Sequence, residues 1–480
     1  MTTTTPAPAT ATAAVGTPER TGLTSAGLIT VLLGAALPII DFFIVNVALP
    51  TIDADLRAST ATLELVVAGY GIAYAVLLVL GGRLGDTFGR RRLFLLGLTL
   101  FTLTSLACGV APDAATLVIA RVAQGAASAM LLPQVLSIIQ AGTSGERRSR
   151  AIGLFGATGG IATVVGQLLG GALVAANVWD LSWRPIFLVN VPIGIVGLLI
   201  ARRTVPDSRA SNPLGVDRWG TVLLAVSLLS LLIPIMEGRA LGWPWWSIAL
   251  LVIFPFAAYG FARVERKLEA AGGTPLLPPA LLRTASVRHG LTVAVPFFCT
   301  FGSFMFVYAV TLQNGLHLGP LGAGLALTPM AVAYFTTSLV SSHLVARFGR
   351  KIVPIGGLIL TVGLIALAAT ALLDWPDLSI WQLAPAMVLI GVGNGLAMST
   401  LFRVVLSRVP ADLAGVGGGV LTTTQQTSLA LGVAVLGSLF ASLSVPGAMG
   451  YQGAFVLVIG ILAALALLVS GLARKLPDPR

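Results

Sequence analysis

The 480-residue sequence is poor in charge, cysteine and histidine, and each shortage excludes a class of protein. Charged residues make up only 10% of the chain, while 56% of it is hydrophobic. Soluble domains carry about 25% charged residues, so a soluble globular protein is excluded. Two cysteines cannot build the disulfide framework of a small secreted domain, and three scattered histidines form no cluster with metal-ligand spacing.

Motifs for enzymatic and ATP-driven chemistry are also missing. No glycine-rich phosphate loop ends in Lys-Ser or Lys-Thr, so ATP is not expected to supply energy. No Ser-x-x-Lys or similar nucleophile pattern appears, so we expect neither an enzyme nor a bound cofactor or metal. The net charge of +11 would indicate a nucleic-acid partner in a soluble protein. Here, cytoplasmic loops that face anionic lipid explain it better.

Long apolar segments dominate what is present. Each can cross about 30 Å of hydrocarbon as a helix, so we predict an all-α polytopic membrane protein with fourteen transmembrane helices. The segments lie at 23–49, 63–80, 93–110, 115–139, 151–175, 185–201, 219–236, 245–262, 291–310, 322–345, 352–373, 380–401, 414–443 and 452–472.

The distribution of basic residues predicts the topology. Arg57, Arg184 and Arg239 fall in odd-numbered loops and Arg121 falls within a span, which leaves 25 of the 29 Lys and Arg in the tails or even-numbered loops. Lys and Arg favour the cytoplasmic side. We therefore expect a multi-pass protein of the plasma membrane with both termini in the cytoplasm.

An internal repeat divides the chain. Residues 341–350 align without gaps with residues 81–90, although the second copy has Ala346 where the first has Asp86. We therefore predict two six-helix bundles with two helices inserted between them, and a substrate site between the bundles near the midplane. The predicted units are a disordered cytoplasmic tail (1–21), the N-terminal bundle (22–203), the inserted helices (204–262), a cytoplasmic loop (263–290), the C-terminal bundle (291–473) and a cytoplasmic tail (474–480).

The first copy of this repeat lies in a largely polar stretch of twelve residues, 81–92. We interpret it as a tight turn at the cytoplasmic face, in which a nearby arginine or a helix N-terminus is the natural partner of Asp86. An ordinary basic loop that only sets topology is the alternative. The candidate residues for a conformational gate are Gly82, Asp86, Gly89, Arg90 and Arg91.

Asp41 is the one acid placed deep within a predicted span. An intramembrane carboxylate is costly and normally faces a cavity, a partner or a proton path, so Asp41 is the main candidate for carrying a proton. A structural hydrogen bond that fixes the first helix is the alternative. Glu64 and Glu237 lie at outer helix ends, where hydration explains them better.

Arg121 opens a polar face on the fourth helix, which continues through Gln124, Gly125, Ser128 and Leu132 at helical spacing. An arginine here should point into the bundle and seek an acceptor. Two roles stay open for it: a structural clamp on neighbouring backbone carbonyls, or a charge that tunes Asp41 by proximity.

Further candidates lie on the fifth, ninth, twelfth and thirteenth predicted helices. A face rich in small residues on the fifth helix could let helices pack tightly and the bundles rock: Gly156, Gly160, Gln167, Gly170 and Gly171. An aromatic stripe at helical spacing on the ninth helix either packs, meets lipid or lines a cavity: Phe297, Phe301, Phe304 and Tyr308. Weaker polar candidates for the cavity, beside Gln124, are Asn394, Gln425 and Gln426.

Several of these stretches together resemble the major facilitator superfamily and its fourteen-helix drug:proton antiporters. The stretches are the turn from Gly82 to Arg91, Leu117 to Gly125 around Arg121, the glycine-rich Gly153–Gly171, Asp41–Pro50 and Trp183–Gly194. The resemblance implies alternating access and proton-driven export, often of hydrophobic or cationic drugs. Two positions depart from the family pattern: Gln167 replaces a usual proline, and Phe43 replaces a common threonine.

We therefore expect an antiporter that exports small hydrophobic or cationic drugs, including antibiotics, with the proton gradient as its energy source. A transporter of the same fold that moves an endogenous metabolite, amino acid or lipid is the alternative. The expected partners are a small-molecule substrate, protons and the lipid bilayer, with no nucleic acid, and we expect a monomer.

Overall fold

The computed structural model describes residues 22–58, 60–209, 217–238, 241–273, 275–410, 413–445 and 447–478. Within these ranges the chain is helical and contains no β-strand. The disordered tail predicted at residues 1–21 lies outside the described residues. The all-α prediction is confirmed.

Fourteen long helices, α1 to α14 in chain order, make up the described part of the protein. Short helical turns at Pro185–Leu188 and Pro279–Arg283 precede α6 and α9, and π-helical turns at Thr311–Gly315 and Val433–Gly437 follow α9 and α13. The long helices are Ser25–Leu56, Thr60–Phe88, Arg90–Gly109, Ala114–Gly142, Gly145–Ala176, Asn190–Thr204, Arg218–Glu237, Trp245–Ala270, Ala285–Val310, Pro320–Phe348, Ile352–Asp374, Ile380–Leu406, Ala414–Gly432 and Gly450–Ala473.

Thirteen helical stretches in the described ranges are long and apolar enough to cross a membrane. A shorter apolar stretch, Trp219–Ile235, lies within α7. The protein is therefore a multi-pass membrane protein. The seventh predicted span, 219–236, corresponds to this stretch.

The turn between α2 and α3 is far shorter than the twelve residues predicted for it. Residues 81–88 continue α2, and Gly89 is the one non-helical residue before α3 begins. Gly89 has φ = 107°, and the equivalent Gly349 in the second repeat has φ = 56°. These backbone conformations strain residues with a side chain, which explains a glycine at the same position of both repeats.

The helix contacts repeat between the two halves of the chain. In the first half, α1 packs against α5 and α6, α2 against α4, and α3 against α4 and α6. In the second half, α9 packs against α13 and α14, α10 against α12, and α11 against α12 and α14. Each pair in one half has its counterpart eight helices later in the other. The fold thus consists of two six-helix bundles, α1–α6 and α9–α14.

The bundles meet through two symmetric sets of contacts. Helix α5 packs against α10 and α12, and its counterpart α13 packs against α2 and α4. The inserted helices α7 and α8 pack on each other, with α7 also against α2 and α13. Helix α8 is largely exposed, and Phe256 is 72% exposed on it, as expected for a surface that faces lipid.

A seam closes the bundles at the end that holds the α2–α3 turn, which we call the basic end. Across it the rings of Phe155 and Phe402 lie 5.8 Å apart. Arg403 donates hydrogen bonds to Ser149 Oγ at 3.0 Å and to Ser341 Oγ at 3.2 Å. The sequence prediction placed Arg403 in a loop, which is wrong, because α12 continues beyond residue 401 and buries this arginine.

Candidate functional site

Asp41 lies in the middle of α1 and is fully buried. Its two carboxylate oxygens accept hydrogen bonds from three side chains of α4 and α6. Arg121 Nη1 donates to Oδ2 at 2.5 Å, and Gln124 Nε2 and Asn190 Nδ2 donate to Oδ1 at 2.9 and 2.8 Å. Charge-assisted donors of this kind stabilise a buried carboxylate. The structure thus brings together Asp41 and Arg121, 80 residues apart in the chain.

Arg121 has the contacts of both roles that the sequence left open. Besides its bond to Asp41, it donates from Nε to the carbonyl of Val66 at 3.0 Å and from Nη1 to Gln124 Oε1 at 2.7 Å. Its Cζ also lies 4.3 Å from the centre of the Tyr70 ring and 5.7 Å from that of Phe187. Arg121 therefore both clamps α2 and pairs with the acid.

A second layer holds the donors in place. Gln124 Nε2 and Asn190 Nδ2 both donate to Ser105 Oγ, at 2.7 and 3.3 Å. We call Asp41, Arg121, Gln124, Asn190 and Ser105 the polar network. Sequence reasoning did not single out Asn190 or Ser105. The available signal was weak, because Asn190 is the first residue of α6 and Ser105 is one of several hydroxyl residues in α3.

A central cavity lies between the two bundles. Most of its wall is aromatic or aliphatic, and the remaining polar groups are uncharged side chains of Thr163 and two adjacent glutamines. The described residues that line it include no Asp, Glu, Lys or Arg. The lining residues are Pro38, Ile39, Phe42, Phe43, Tyr70, Tyr74, Leu132, Gly159, Gly160, Thr163, Phe301, Met398, Gln425, Gln426 and Leu429.

Asp41 is not part of the cavity wall, contrary to the simplest expectation for an intramembrane acid. The cavity takes residues 38, 39, 42 and 43 of α1. Since successive helical residues are about 100° apart, Asp41 falls on another face and points to α4 and α6. Tyr70 borders both places, because it lines the cavity and lies over Arg121.

The other cavity candidates separate into two groups. Phe301, Gln425 and Gln426 line the cavity. The remaining five do not line it: Gln124 belongs to the polar network, Phe297, Phe304 and Tyr308 lie in the core of the second bundle, and Asn394 is buried in α12. Helical spacing placed the four aromatic residues on one face of α9. Of these four, only Phe301 reaches the cavity. Neighbouring helices cover the others. For example, Tyr308 Oη donates to the carbonyl of Ala326 in α10 at 3.3 Å.

The small-residue face of α5 is divided between two neighbours. Gly156 packs against Ser399, whose Cα would lie 3.4 Å from an added Cβ, and Gly160 packs under the ring of Tyr334. Gly170 instead packs against the carbonyl of Ile44 in α1. Gly171 is buried and Gln167 is half-buried. Gly156 and Gly160 thus pack against the other bundle, whereas Gly170 packs within its own. The rocking role of this face stays a prediction.

The gate candidates form a compact unit at the basic end. Asp86 lies in the last turn of α2 rather than in a loop, and its Oδ1 accepts from Arg90 Nη2 at 2.9 Å and Nε at 3.1 Å. The Arg90 amide donates to the carbonyl of Ser208 at 3.0 Å, and Arg91 donates to the carbonyl of Arg202. Gly82 is buried within α2. The unit thus connects α2 and α3 to the last turn of α6 and to the chain that follows it.

Two weaker acidic candidates lie near helix ends, Glu64 near the start of α2 and Glu237 at the last residue of α7. The side chains of Glu64 and Glu237 lie outside the described residues. Among the side chains that are described, no three His, Cys, Asp or Glu residues come together as metal ligands would.

Two repeated helical bundles around a central cavity, with a buried ion pair beside it, define a secondary transporter. The family model of the Major Facilitator Superfamily matches residues 31–433. The chain belongs to this superfamily.

Similar curated proteins indicate to which branch of the superfamily the chain belongs. The chain is 35% identical to the probable actinorhodin transporter of Streptomyces coelicolor, over 85% of this chain and 71% of that one. It is 35% identical to a puromycin resistance protein of Streptomyces alboniger, over 85% and 80%. It is 33% identical to the multidrug resistance protein Stp of Mycobacterium tuberculosis, over 85% and 74%. The chain thus falls in the drug-efflux branch of the superfamily, whose members are transporters and not enzymes.

Solved structures agree on the fold. The human organic anion transporter MFSD10 superposes with a TM-score of 0.67 at 16% identity, over 95% of this chain and 100% of that one. The proton:xylose symporter XylE gives 0.63 at 15% identity, over 92% and 94%. At these identities the likeness concerns the fold alone.

Proposed function

We propose that the protein is a proton-coupled antiporter, which exports small hydrophobic or cationic drugs by alternating access. In this proposal Asp41 carries the proton. The observation that carries the proposal is a fully buried carboxylate held by three donors beside a central cavity. An ionisable group at this depth marks a functional site by default, because a purely structural role is met at lower cost by a neutral residue.

Charge balance explains how Asp41 would exchange a proton. When ionised, its charge is compensated by Arg121, and the pair is neutral as a whole. When protonated, it leaves Arg121 as a buried cation with weaker partners. The two protonation states therefore favour different helix arrangements, which is what a coupled cycle requires. Removing one partner of a buried pair typically costs about 3–5 kcal/mol, enough to shift a conformational equilibrium strongly.

The cavity lining supports the substrate class. Five aromatic residues line it together with Met398 and Leu429, and polar contacts come from Thr163, Gln425 and Gln426. Aromatic and aliphatic walls with a few hydrogen-bonding groups suit amphipathic molecules with ring systems. A cationic substrate would have to bind through the aromatic rings, because no carboxylate lines the cavity. The names of the actinorhodin, puromycin and multidrug relatives are consistent with substrates of this kind.

The proposal includes the orientation of the protein in the membrane and the closing of the seam between the bundles. The basic end would face the cytoplasm, with both termini on that side, because Lys and Arg resist translocation. Substrate would enter from the cytoplasm when the seam around Arg403 opens. It would leave on the other side after the seam closes again.

The proposal is tested by proton release. Purified protein in weakly buffered detergent solution receives puromycin as the first probe and then other aromatic antibiotics. We expect protons to be released by the wild type and not by Asp41→Asn. Asp113→Asn is the matched control, because Asp113 is an exposed helix cap that accepts from the Thr116 amide at 2.8 Å. Undiminished proton release in Asp41→Asn would exclude Asp41 as the proton carrier.

A further inference from the structure

Tyr70 is the side chain through which the central cavity meets the polar network. Its ring lines the cavity, and its centre lies 4.3 Å from the guanidinium carbon of Arg121. Arg121 in turn donates directly to Asp41 at 2.5 Å. A molecule in the cavity is therefore separated from the acid by one ring and one guanidinium group.

Two hydrogen bonds hold Tyr70 in this position. Its hydroxyl donates to the carbonyl of Pro38 at 2.9 Å and lies 2.8 Å from Ser128 Oγ. Pro38 precedes Asp41 by about one helical turn on α1, and Ser128 follows Gln124 by about one turn on α4. The tyrosine is thus fastened to the two helices that carry the acid and its donors.

Tyr70 also contacts the aromatic wall of the cavity. Its ring centre lies 5.8 Å from that of Phe42 and 6.1 Å from that of Tyr74. Both neighbours line the cavity. A ring system that binds there therefore meets Tyr70 directly, beside these two neighbours.

The guanidinium of Arg121 is shared between the carboxylate and the ring. Among the described residues, its Nη2 atom has no hydrogen-bond partner, while the Tyr70 ring lies within cation–π distance. Protonation of Asp41 weakens the attraction on one side of Arg121. Displacement of Tyr70 by a bound molecule weakens the attraction on the other side. Each event changes the free energy of the other, and linkage requires the effect to be reciprocal.

We propose that Tyr70 is a positioning residue, and that its ring couples occupancy of the cavity to protonation of Asp41. Substrate and proton then occupy separate places and influence each other through Arg121. This inference rests on the proton-coupled export proposed above. Couplings between sites typically change affinity by roughly 5–150-fold, which sets the size of the expected effect.

The test measures the puromycin dissociation constant at two pH values, one below and one above the pH at which the wild-type affinity changes. The ratio of the two constants is then compared between variants. We expect the wild-type ratio to be at least about fivefold. In Tyr70→Leu the ratio falls to about one, because the ring is lost, while Tyr70→Phe keeps the wild-type ratio within about twofold. If Tyr70→Leu does not fold, Tyr70→Met removes the ring and preserves more of the volume.

Tyr74→Leu is the matched control. Tyr74 lines the same cavity and contacts the Tyr70 ring, but the rings within cation–π distance of Arg121 are those of Tyr70 and Phe187. We expect this variant to change the affinity for puromycin and to keep its pH ratio. A wild-type ratio in the ring-deleted variants overturns the inference alone. A wild type without any pH dependence overturns the proposed function, and the inference with it.

Discussion

Replacing Gly160 by alanine should disturb the seam between the bundles at one well-defined point. An added Cβ would overlap the ring of Tyr334, with Cζ only 2.6 Å away. The ring cannot simply turn aside. Its hydroxyl donates to the carbonyl of Gly156 at 2.7 Å, and the residue is 1% exposed. The overlap exists only while α5 and α10 are in contact, so the substitution acts on the state that closes the basic end.

Two free-energy costs determine how much the substitution destabilises the closed state. Overpacking by one methyl group in a close-packed seam costs about 1–3 kcal/mol. Loss of the Tyr334 hydrogen bond, if the ring has to move, adds about 0.5–1.5 kcal/mol. The closed state is thus destabilised by about 1.5–4.5 kcal/mol. Its equilibrium with the open state shifts by roughly tenfold to a thousandfold.

The assay is maleimide labelling of a cysteine introduced at Ser341, in a background without Cys108 and Cys299. Ser341 is fully buried in the seam. We expect Gly160→Ala to raise the labelling rate of the purified protein at least about tenfold. Gly159→Ala is the control, because its Cβ would meet Met398 Cε at an ordinary 3.6 Å. Equal labelling rates in the two variants would refute the view that the Gly160–Tyr334 contact limits opening.

Three further outcomes are expected. Asp86→Asn breaks the ion pair at the end of α2 and should slow transport, while puromycin affinity stays within about tenfold, or about 1.4 kcal/mol; collapsed affinity with continued cycling would contradict a gating role. Arg403→Ala removes the hydrogen bond to Ser149 across the seam and should speed the same labelling, whereas the exposed Arg408→Ala should not. The hydrogen bond from Arg184 holds the pKa of Asp55 below its ordinary 3.8. Its stabilisation is therefore present above pH 3.8 and is lost below it, so Asp55→Asn should weaken the acid dependence of the melting temperature; an unchanged dependence would exclude this contribution.

Much of the architecture could be predicted from the sequence, because long apolar segments and the basic loops between them respond directly to the bilayer. The repeat at residues 81–90 and 341–350 similarly indicated two equivalent bundles. The limits of the helices were harder to predict. Hydropathy ends a segment at its first charged residue, whereas α2 and α12 continue past Arg83 and Arg403 and bury both.

The candidate site could also be predicted from the sequence only in part. The cost of an intramembrane charge identified Asp41 and Arg121, which the structure places in contact. Periodicity shows which residues share a face of a helix, but it does not show what that face meets. For this reason the sequence could not tell that Phe301 lines the cavity while Phe297 packs in the core. Tyr70 escaped notice because an aromatic residue in an apolar span carries no signal of its own.

Export driven by a pH gradient in proteoliposomes tests the central claim most directly. Protein is reconstituted, a pH gradient is imposed with the membrane potential clamped at zero, and puromycin accumulation is followed over time. We expect the wild type to accumulate puromycin against its gradient, Asp41→Glu to do so partially with a shifted pH optimum, and Asp41→Asn only to equilibrate it. Accumulation by Asp41→Asn at the wild-type rate and extent would contradict the assignment of Asp41 as the proton carrier.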